Sequence, residues 1–320
     1  MSSERSGGGP QSSGYQSGLF VFTDSQFVLL RDLILERTGM LFDDAKRGLL
    51  SDKLSELVAA NAMTSFLDYY YLLRYDDAAD AHWGALLDRL SVPETYFWRQ
   101  AEQILALSEV IAPSHAAINP GKRLRIWCAA CCTGEEPLSL AIALAEAGLL
   151  GTGLIDIYAT DASSAMVARA RSGRYGERSF RQIPANLREK YFEPDGALWR
   201  PIKQVREAVH YDVVNLVRKE QVAPYARADV IFCRNVFIYF SDAVIKRVVQ
   251  SFIEQMAPDG CLFLGAAESL TRLGVELDLA EVGGAFAYVR PGNRPYFERP
   301  PSNVPIAPAA RRLQDGSWPG

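Results

Sequence analysis

The sequence predicts an α/β fold: a mostly parallel sheet with helices on both faces, interrupted by a small β insertion and preceded by a small helical domain. Three observations carry this. Beyond Leu124, short β-rich runs alternate with helical patterns, the order that builds a parallel sheet covered on both sides. A turn-rich stretch between Arg178 and Glu207 breaks that order. Residues 20 to 90 hold four successive apolar patterns at helical spacing, enough for a separate helical domain. At 320 residues the chain suits one α/β core with a small companion.

Residues 1 to 19 are rich in Gly and Ser and lack the apolar core of a leader, which predicts a flexible tail and a cytoplasmic protein. Thr23-Asp24-Ser25-Gln26 has the spacing of a capping box, so a helix follows. Phe27, Leu30, Leu33, Ile34 and Leu35 form its apolar side and Gly39 is placed to end it. Leu50, Leu54, Leu57 and Val58 mark a second helix. Phe66, Leu67, Tyr70 and Leu73 mark a third, and Trp83, Leu86, Leu87 and Leu90 a fourth. Pro93 disfavours helix in the residue before it, so Ser91-Val92-Pro93 leads out into an interdomain segment over 91–100, where the aromatic run Tyr96-Phe97-Trp98 is expected to pack between domains.

The larger domain is expected over 101–290. LRIWCAA (124–130), LIDIYAT (154–160), AVHYDVV (208–214), ADVIFCR (228–234) and GCLFLGA (260–266) read as strands. Helical patterns cover Pro137 to Ala147, Ser164 to Ser172 and Asp242 to Met256. Pro184, Pro194, Asp195-Gly196 and Pro201 predict a helix and an antiparallel hairpin in the insertion, centred on about 189–213. Residues 291–320, rich in Pro, Asn and Arg, read as a second flexible tail.

Bulk properties exclude several classes. No apolar run is long enough to span a bilayer, so no membrane insertion is expected. The net charge of -4 offers no general attraction to phosphates, which argues against nucleic acid as partner. Five cysteines, Cys128, Cys131, Cys132, Cys233 and Cys261, make an odd set without an export signal, and no disulfide framework is expected. Three clustered thiols with no fourth ligand pair nearby do not make a metal site. They read as small apolar filling at the end of a buried strand, and no metal is expected.

Cys128-Ala129-Ala130-Cys131-Cys132-Thr133-Gly134-Glu135-Glu136-Pro137 runs from a strand through a small-residue turn into a helix. Small residues let a ligand approach the backbone, and the helix entrance offers free N–H groups. A pyrophosphate would want several glycines and no acids here. S-adenosylmethionine (SAM), with an ammonium and a sulfonium, suits the turn better, and Pro137 places Glu136 at the helix entrance facing it. The alternative is that both acids complement the helix dipole at a surface. Asp161, ending the next strand, is placed for ribose hydroxyls or as a cap for the helix near Ser164. Asn215-Leu216, Arg234-Asn235 and Tyr239 follow later strands. Asn has both polar functions needed to read an adenine edge and Tyr239 an aromatic face with a hydroxyl, though an Asn after a strand is more often a turn residue and a Tyr in an aromatic run more often core. Arg99 carries a fork suited to a carboxylate.

Taken together, RIWCAACCTGEEPLSL, ATD, NL, FCRNVFIYF, LFLGAAESL and ETYFWR resemble, in order, the motifs of the CheR chemotaxis receptor methyltransferases over roughly residues 20 to 290. The resemblance implies a Rossmann-like SAM-dependent methyltransferase domain with a β-subdomain, behind a helical N-terminal domain. It implies transfer of methyl from SAM to glutamates of chemoreceptors, giving S-adenosylhomocysteine (SAH). Thr95, Arg99, Glu136, Asp161, Asn215, Leu216, Arg234 and Asn235 fall on the family's cofactor-contact positions, and Arg99 and Tyr239 beside the transferred methyl. Lys46, Arg47 and Lys53 on the second helix fall where the family meets the acidic methylation helix of a receptor. The stretch from Tyr191 to Asn215 is a few residues shorter than in members that grip a receptor's C-terminal pentapeptide. Docking on the receptor's cytoplasmic helical domain without that tether is therefore expected, by a monomer.

A glutamate acceptor is ionised at neutral pH, its unperturbed pKa being about 4.3, so no general base is required. His82, His115 and His210 lie in contexts that read as surface or packing. A non-catalytic SAM or SAH adaptor and a small-molecule methyltransferase are the competing readings; the helical domain and the insertion favour a protein substrate.

Overall fold

The computed structural model describes residues 15–17, 20–76 and 79–292. Most of the two expected tails lies outside these residues. Tyr15–Ser17 (β1), inside the expected N-terminal tail, pairs antiparallel with Phe20–Phe22 (β2). The chain divides into two compact units at Ser91/Val92.

The first unit is helical. Thr23 caps α1 (Asp24–Thr38) through a complete capping box, and Gly39 ends it in the left-handed region at φ 79°, where a side chain would be strained. Three helices follow, α2 (Arg47–Ala60), α3 (Phe66–Tyr75) and α4 (Ala79–Leu90). Their core is Phe22, Phe27, Leu30, Ile34, Leu50, Leu54, Val58, Phe66, Tyr69, Leu73, Trp83, Leu86 and Leu90. On α3 the buried set is Phe66, Tyr69 and Leu73, not the set including Leu67 and Tyr70. Steps of three and four residues keep that set on one stripe. Trp83 satisfies its buried N–H by donating to the Leu73 carbonyl at 3.1 Å.

The second unit opens with helices α5 (Ala101–Leu105) and α6 (Ala112–Ile118), joined by a π-helical stretch over Ala106–Ile111. Strands β3 (Leu124–Ala129) and β4 (Ile155–Asp161) flank α7 (Glu135–Glu146), and α8 (Ser164–Ser172) follows. The insertion contains α9 (Ala185–Tyr191), the hairpin β5 (Phe192–Asp195) and β6 (Leu198–Pro201), and α10 (Lys203–Glu207). Then come β7 (Val209–Val213), α11 (Lys219–Ala226), β8 (Val230–Cys233), α12 (Asp242–Gln255), β9 (Cys261–Leu264), β10 (Asp278–Val282) and β11 (Ala285–Val289). The seven-stranded sheet has the order β10-β11-β9-β8-β3-β4-β7. β7, β4, β3, β8 and β9 run parallel, while β11 and β10 close the far edge antiparallel.

After β3 the chain builds outward through β4 and β7, then returns to place β8 on the other side of β3. This reversal opens a crevice between the carboxyl ends of β3 and β8, the position where ligands bind in such sheets. The sheet around it is closely packed. Trp127 on β3 is fully buried, donates to Thr160 Oγ1 at 3.0 Å and meets Phe252 edge-on. Phe232 and Phe263, register partners on β8 and β9, stack 4.8 Å apart.

Candidate active site

The loop leaving β3 is strained and held. Ala130 and Cys132 adopt left-handed backbone, at φ 72° and 51°, a conformation costing non-glycine residues roughly 1–3 kcal/mol. Cys131 N–H donates to the Thr160 carbonyl at 2.8 Å and Cys132 N–H to Asp161 Oδ2 at 2.9 Å. Gly134, at φ 95°, is the N-cap of α7. A Cβ there would lie 3.0 Å from Ala170 Cβ and from the hydroxyls of Tyr175 and Tyr211, so glycine is required twice over.

The two acids that follow have different roles, and neither simply complements the helix dipole at a surface. Glu135 is buried at 3% exposure. Its oxygens accept from Thr133 Oγ1 at 2.6 Å and Ser179 Oγ at 2.9 Å. Burial pushes its carboxyl above the ordinary range, and the two hydroxyls pull it back. Glu136 points to the crevice. Its Oε2 lies 3.4 Å from Arg234 Nε, and its Oε1 is covered without a hydrogen-bond partner. Burial raises its pKa, while Arg234 and the Cys128 thiol oppose.

Arg234, on the loop after β8, keeps 2% of its side-chain surface. Its Nη2 donates to the Arg99 carbonyl, and its Nη1 has no partner. Buried polar atoms are normally satisfied. An unpaired carboxylate oxygen is a ready acceptor for an ammonium, and the donor set therefore fits the amino-acid end of SAM.

Asp161 shapes the neighbouring loop. Besides Cys132 N–H, it accepts from Ser163 N–H through Oδ1 at 2.9 Å. The capping of α8 belongs to Ser163, whose hydroxyl accepts from Met166 N–H. These backbone bonds fix the carboxylate at the end of β4, the strand beside β3.

The segment expected to lie between domains belongs to the second unit. Phe97 is fully buried, with its ring centroid 4.8 to 5.2 Å from those of Tyr175, Phe180 and Phe192. Trp98 N–H donates to Ser139 Oγ on α7 at 3.1 Å. Trp98 and Gln100 have φ of 68° and 56°. Thr95 precedes this anchored, strained turn and Arg99 lies within it. Arg99 Nη1 donates to the Glu94 carbonyl at 2.8 Å, and its guanidinium lies over Tyr96. Tyr239 sits in a 3-10 turn after β8 (Phe237–Tyr239). Burial lifts its phenol above the ordinary range, opposed first by the charge of Arg99, so the hydroxyl stays protonated at neutral pH.

Asn235, at φ 59°, is held by a residue absent from the sequence-based site. Glu268 accepts from the backbone N–H groups of Asn235, Phe237 and Gly265 at 2.7 to 2.8 Å. A Cβ on Gly265 would lie 2.6 Å from Asn235 Nδ2 and 2.8 Å from Glu268 Oε2. The signal was present in the acid of LGAAESL, one turn past a strand end. Asn215 forms the turn after β7: its Oδ1 accepts from Val217 N–H and its own N–H donates to Gln221 Oε1. Leu216 beside it is buried.

The three predicted docking cations lie in the first unit. Lys46 is exposed. Arg47 is committed inward, paired with Asp24 and donating to the Phe22 carbonyl. Lys53 donates to the Arg89 carbonyl at 2.7 Å, and burial followed by the nearby Arg89 charge lowers its pKa.

Residues 25–91 match the family model of the all-alpha domain of CheR methyltransferases, and residues 93–282 that of their SAM binding domain. Similar curated proteins include "Chemotaxis protein methyltransferase 2" of Vibrio cholerae, 33% identical over 274 residues, covering 85% of this chain and 94% of that protein. "Chemotaxis protein methyltransferase" of Salmonella typhimurium is 31% identical over 261 residues, covering 80% and 88%. "Probable biofilm formation methyltransferase WspC" of Pseudomonas putida is 35% identical over 260 residues, covering 80% of this chain and 59% of that protein.

Proposed function

The chain belongs to the CheR methyltransferase family, and from that premise we propose that it methylates glutamate side chains of chemoreceptors in sensory adaptation, producing glutamate methyl esters and SAH. The observation that carries the SAM-binding part of this reading is the covered, unpartnered Oε1 of Glu136 at the switch point, with Arg234 beside it; the glutamate acceptor rests on the family membership. Bound SAM supplies an electrophilic methyl: a glutamate oxygen forms the new C–O bond as the S–CH3 bond breaks, and the electron pair stays on sulfur. No proton moves, which agrees with a site built without a general base.

The chain's own residues have distinct tasks in this reading. Glu136 takes the ammonium, Asp161 the ribose, and the walls formed by Thr95, Asn215, Leu216 and Asn235 complete the cofactor contacts. Arg99 orients the acceptor carboxylate with its fork, and the protonated Tyr239 hydroxyl donates a hydrogen bond and excludes water. Orientation of two bound reactants supplies most of the acceleration. Docking rests on Lys46, in the 3-10 turn (Asp44–Lys46) before α2, and Lys53 on α2, whose charges meet the acidic methylation helix, and Arg47 holds the start of α2. The short hairpin favours direct docking on the receptor's helical domain over tail tethering.

Labelled SAM incubated with chemoreceptor cytoplasmic fragments tests the proposal. Base-labile methyl on glutamate is expected. Cofactor binding without any labile transfer, across all cognate receptors, would replace the enzyme with a SAM- or SAH-binding adaptor.

A further inference from the structure

A two-arginine carboxylate site adjoins the transfer centre, and the chain fills it with its own Glu94. One oxygen of Glu94 accepts from Arg178 at 3.1 Å and the other from Arg181 at 2.6 Å. Arg181 also lies over the Tyr96 ring, 3.7 Å from its centroid, and donates to the Arg178 carbonyl at 3.2 Å. The pair is thus aimed before anything binds. Arg99 reaches the same segment through the Glu94 carbonyl. Glu177, the acid next to Arg178, is engaged by Arg188 at 2.6 Å and by Trp199 Nε1 at 2.8 Å. Two guanidiniums therefore share one carboxylate, with a third on the backbone carbonyl of the same residue, and the rim is cationic. Its nearness to the reaction centre registers at Tyr239, where Glu94 strengthens and Arg99 weakens the hold on the phenolic proton.

We infer that Arg178 and Arg181 form a docking rim for acidic side chains flanking the acceptor glutamate of a protein substrate, and that Glu94 is a stand-in which such a carboxylate displaces. This rests on the glutamate-transfer reading above. Guanidinium forks match carboxylate geometry. The Arg178 side chain is 83% exposed and that of Glu94 46%, and ion pairs so exposed contribute little net stability. Exchanging one carboxylate for another is then nearly neutral, and the rim acts mainly by steering encounter. A neutral small molecule would gain nothing from it, so the rim selects for an acidic protein segment.

The test uses the full chain and a chemoreceptor cytoplasmic fragment that accepts base-labile methyl in the assay above. Absence of all methylation would defeat the glutamate reading itself, not the rim. With methylation present, R178A/R181A is expected to raise KM for the fragment about tenfold and flatten its salt dependence, with the Kd for SAM unchanged. E94Q is expected to lower KM about threefold, because the carboxamide carries no charge against the two guanidiniums and keeps one acceptor oxygen instead of two. Reversing the rim with R178E/R181E is expected to be rescued by a fragment whose flanking glutamates are changed to lysine, a readout no misfolded variant can mimic. Unchanged KM in R178A/R181A with its salt slope retained, a higher KM in E94Q, or failure of the charge exchange would overturn the inference.

Discussion

Glu136 and Arg234 face each other across the crevice between β3 and β8, carboxylate oxygen to guanidinium nitrogen 3.4 Å apart, and each keeps a covered atom without a hydrogen-bond partner. Taking two charges out of water is expensive unless both are fully satisfied. An incompletely paired buried ion pair is therefore poor stabilisation and a good ligand site, since a bound ammonium would complete the bonding of Glu136.

The pH dependence of SAM binding follows from this pair. Burial raises the Glu136 pKa, so below that raised value the free site carries a proton that an ammonium ligand must displace. Affinity is expected to rise as pH climbs from the ordinary glutamate range through the raised value, then level off. In E136Q the dependence disappears and Kd rises by about two orders of magnitude, or ~3 kcal/mol. Titration calorimetry from about pH 5 to about pH 8 checks both.

Arg99→Ala is expected to leave folding intact, because the side chain bonds to the Glu94 carbonyl at the surface and lies over a ring face. The proposed transfer falls by at least ~100-fold, the scale of losing one group aimed at the reacting centre. Tyr239→Phe loses one hydrogen bond and is expected to fall about tenfold. Single-turnover rates with saturating SAM separate these effects from binding; an unchanged rate in R99A would remove Arg99 from the mechanism.

Glu268→Gln replaces an acceptor-only carboxylate with a group whose amide must face a backbone N–H now bonded to Glu268. A cost of about 2 kcal/mol is expected, with mobility of Asn235 to Tyr239 and a drop in kcat larger than any rise in KM for SAM. Thermal unfolding and steady-state kinetics together show it.

Gly134→Ala meets three atoms at 3.0 Å and forces alanine to φ 95°. A loss of ~2 kcal/mol is expected, read as a Tm lower by several degrees, with SAM affinity reduced because the same turn aims Glu136.

Arg47→Ala is expected to destabilise the helical unit by about 1 kcal/mol, since Arg47 holds Asp24 and the Phe22 carbonyl. Lys46→Ala leaves stability unchanged, so a weaker receptor interaction in that variant reports docking alone. Calorimetry of both variants beside a binding assay distinguishes the two roles.

Local signals were legible. The capping box at Thr23, the left-handed cap at Gly39 and the runs that became β3, β4, β7, β8 and β9 all depend on neighbours within a few residues. The edge hairpin of β10 and β11 escaped the reading although Gly283-Gly284, both at positive φ, carried a two-residue turn signal between them. The Phe97 segment was read as interdomain because it lacks periodicity; its burial against Tyr175, Phe180 and Phe192 depends on a loop some eighty positions away.

By itself the sequence determined which residues stand at strand ends and helix entrances, because caps, turns and periodicity act within one or two turns of chain. Only the tertiary structure decided how each of the two adjacent acids is held. Glu135 turns inward because Thr133 and Ser179 hydroxyls await it, and Glu136 turns to the crevice because the strand order sets β8, and with it Arg234, beside β3. Burial and charge pairing across that distance arise from packing, which no local spacing encodes.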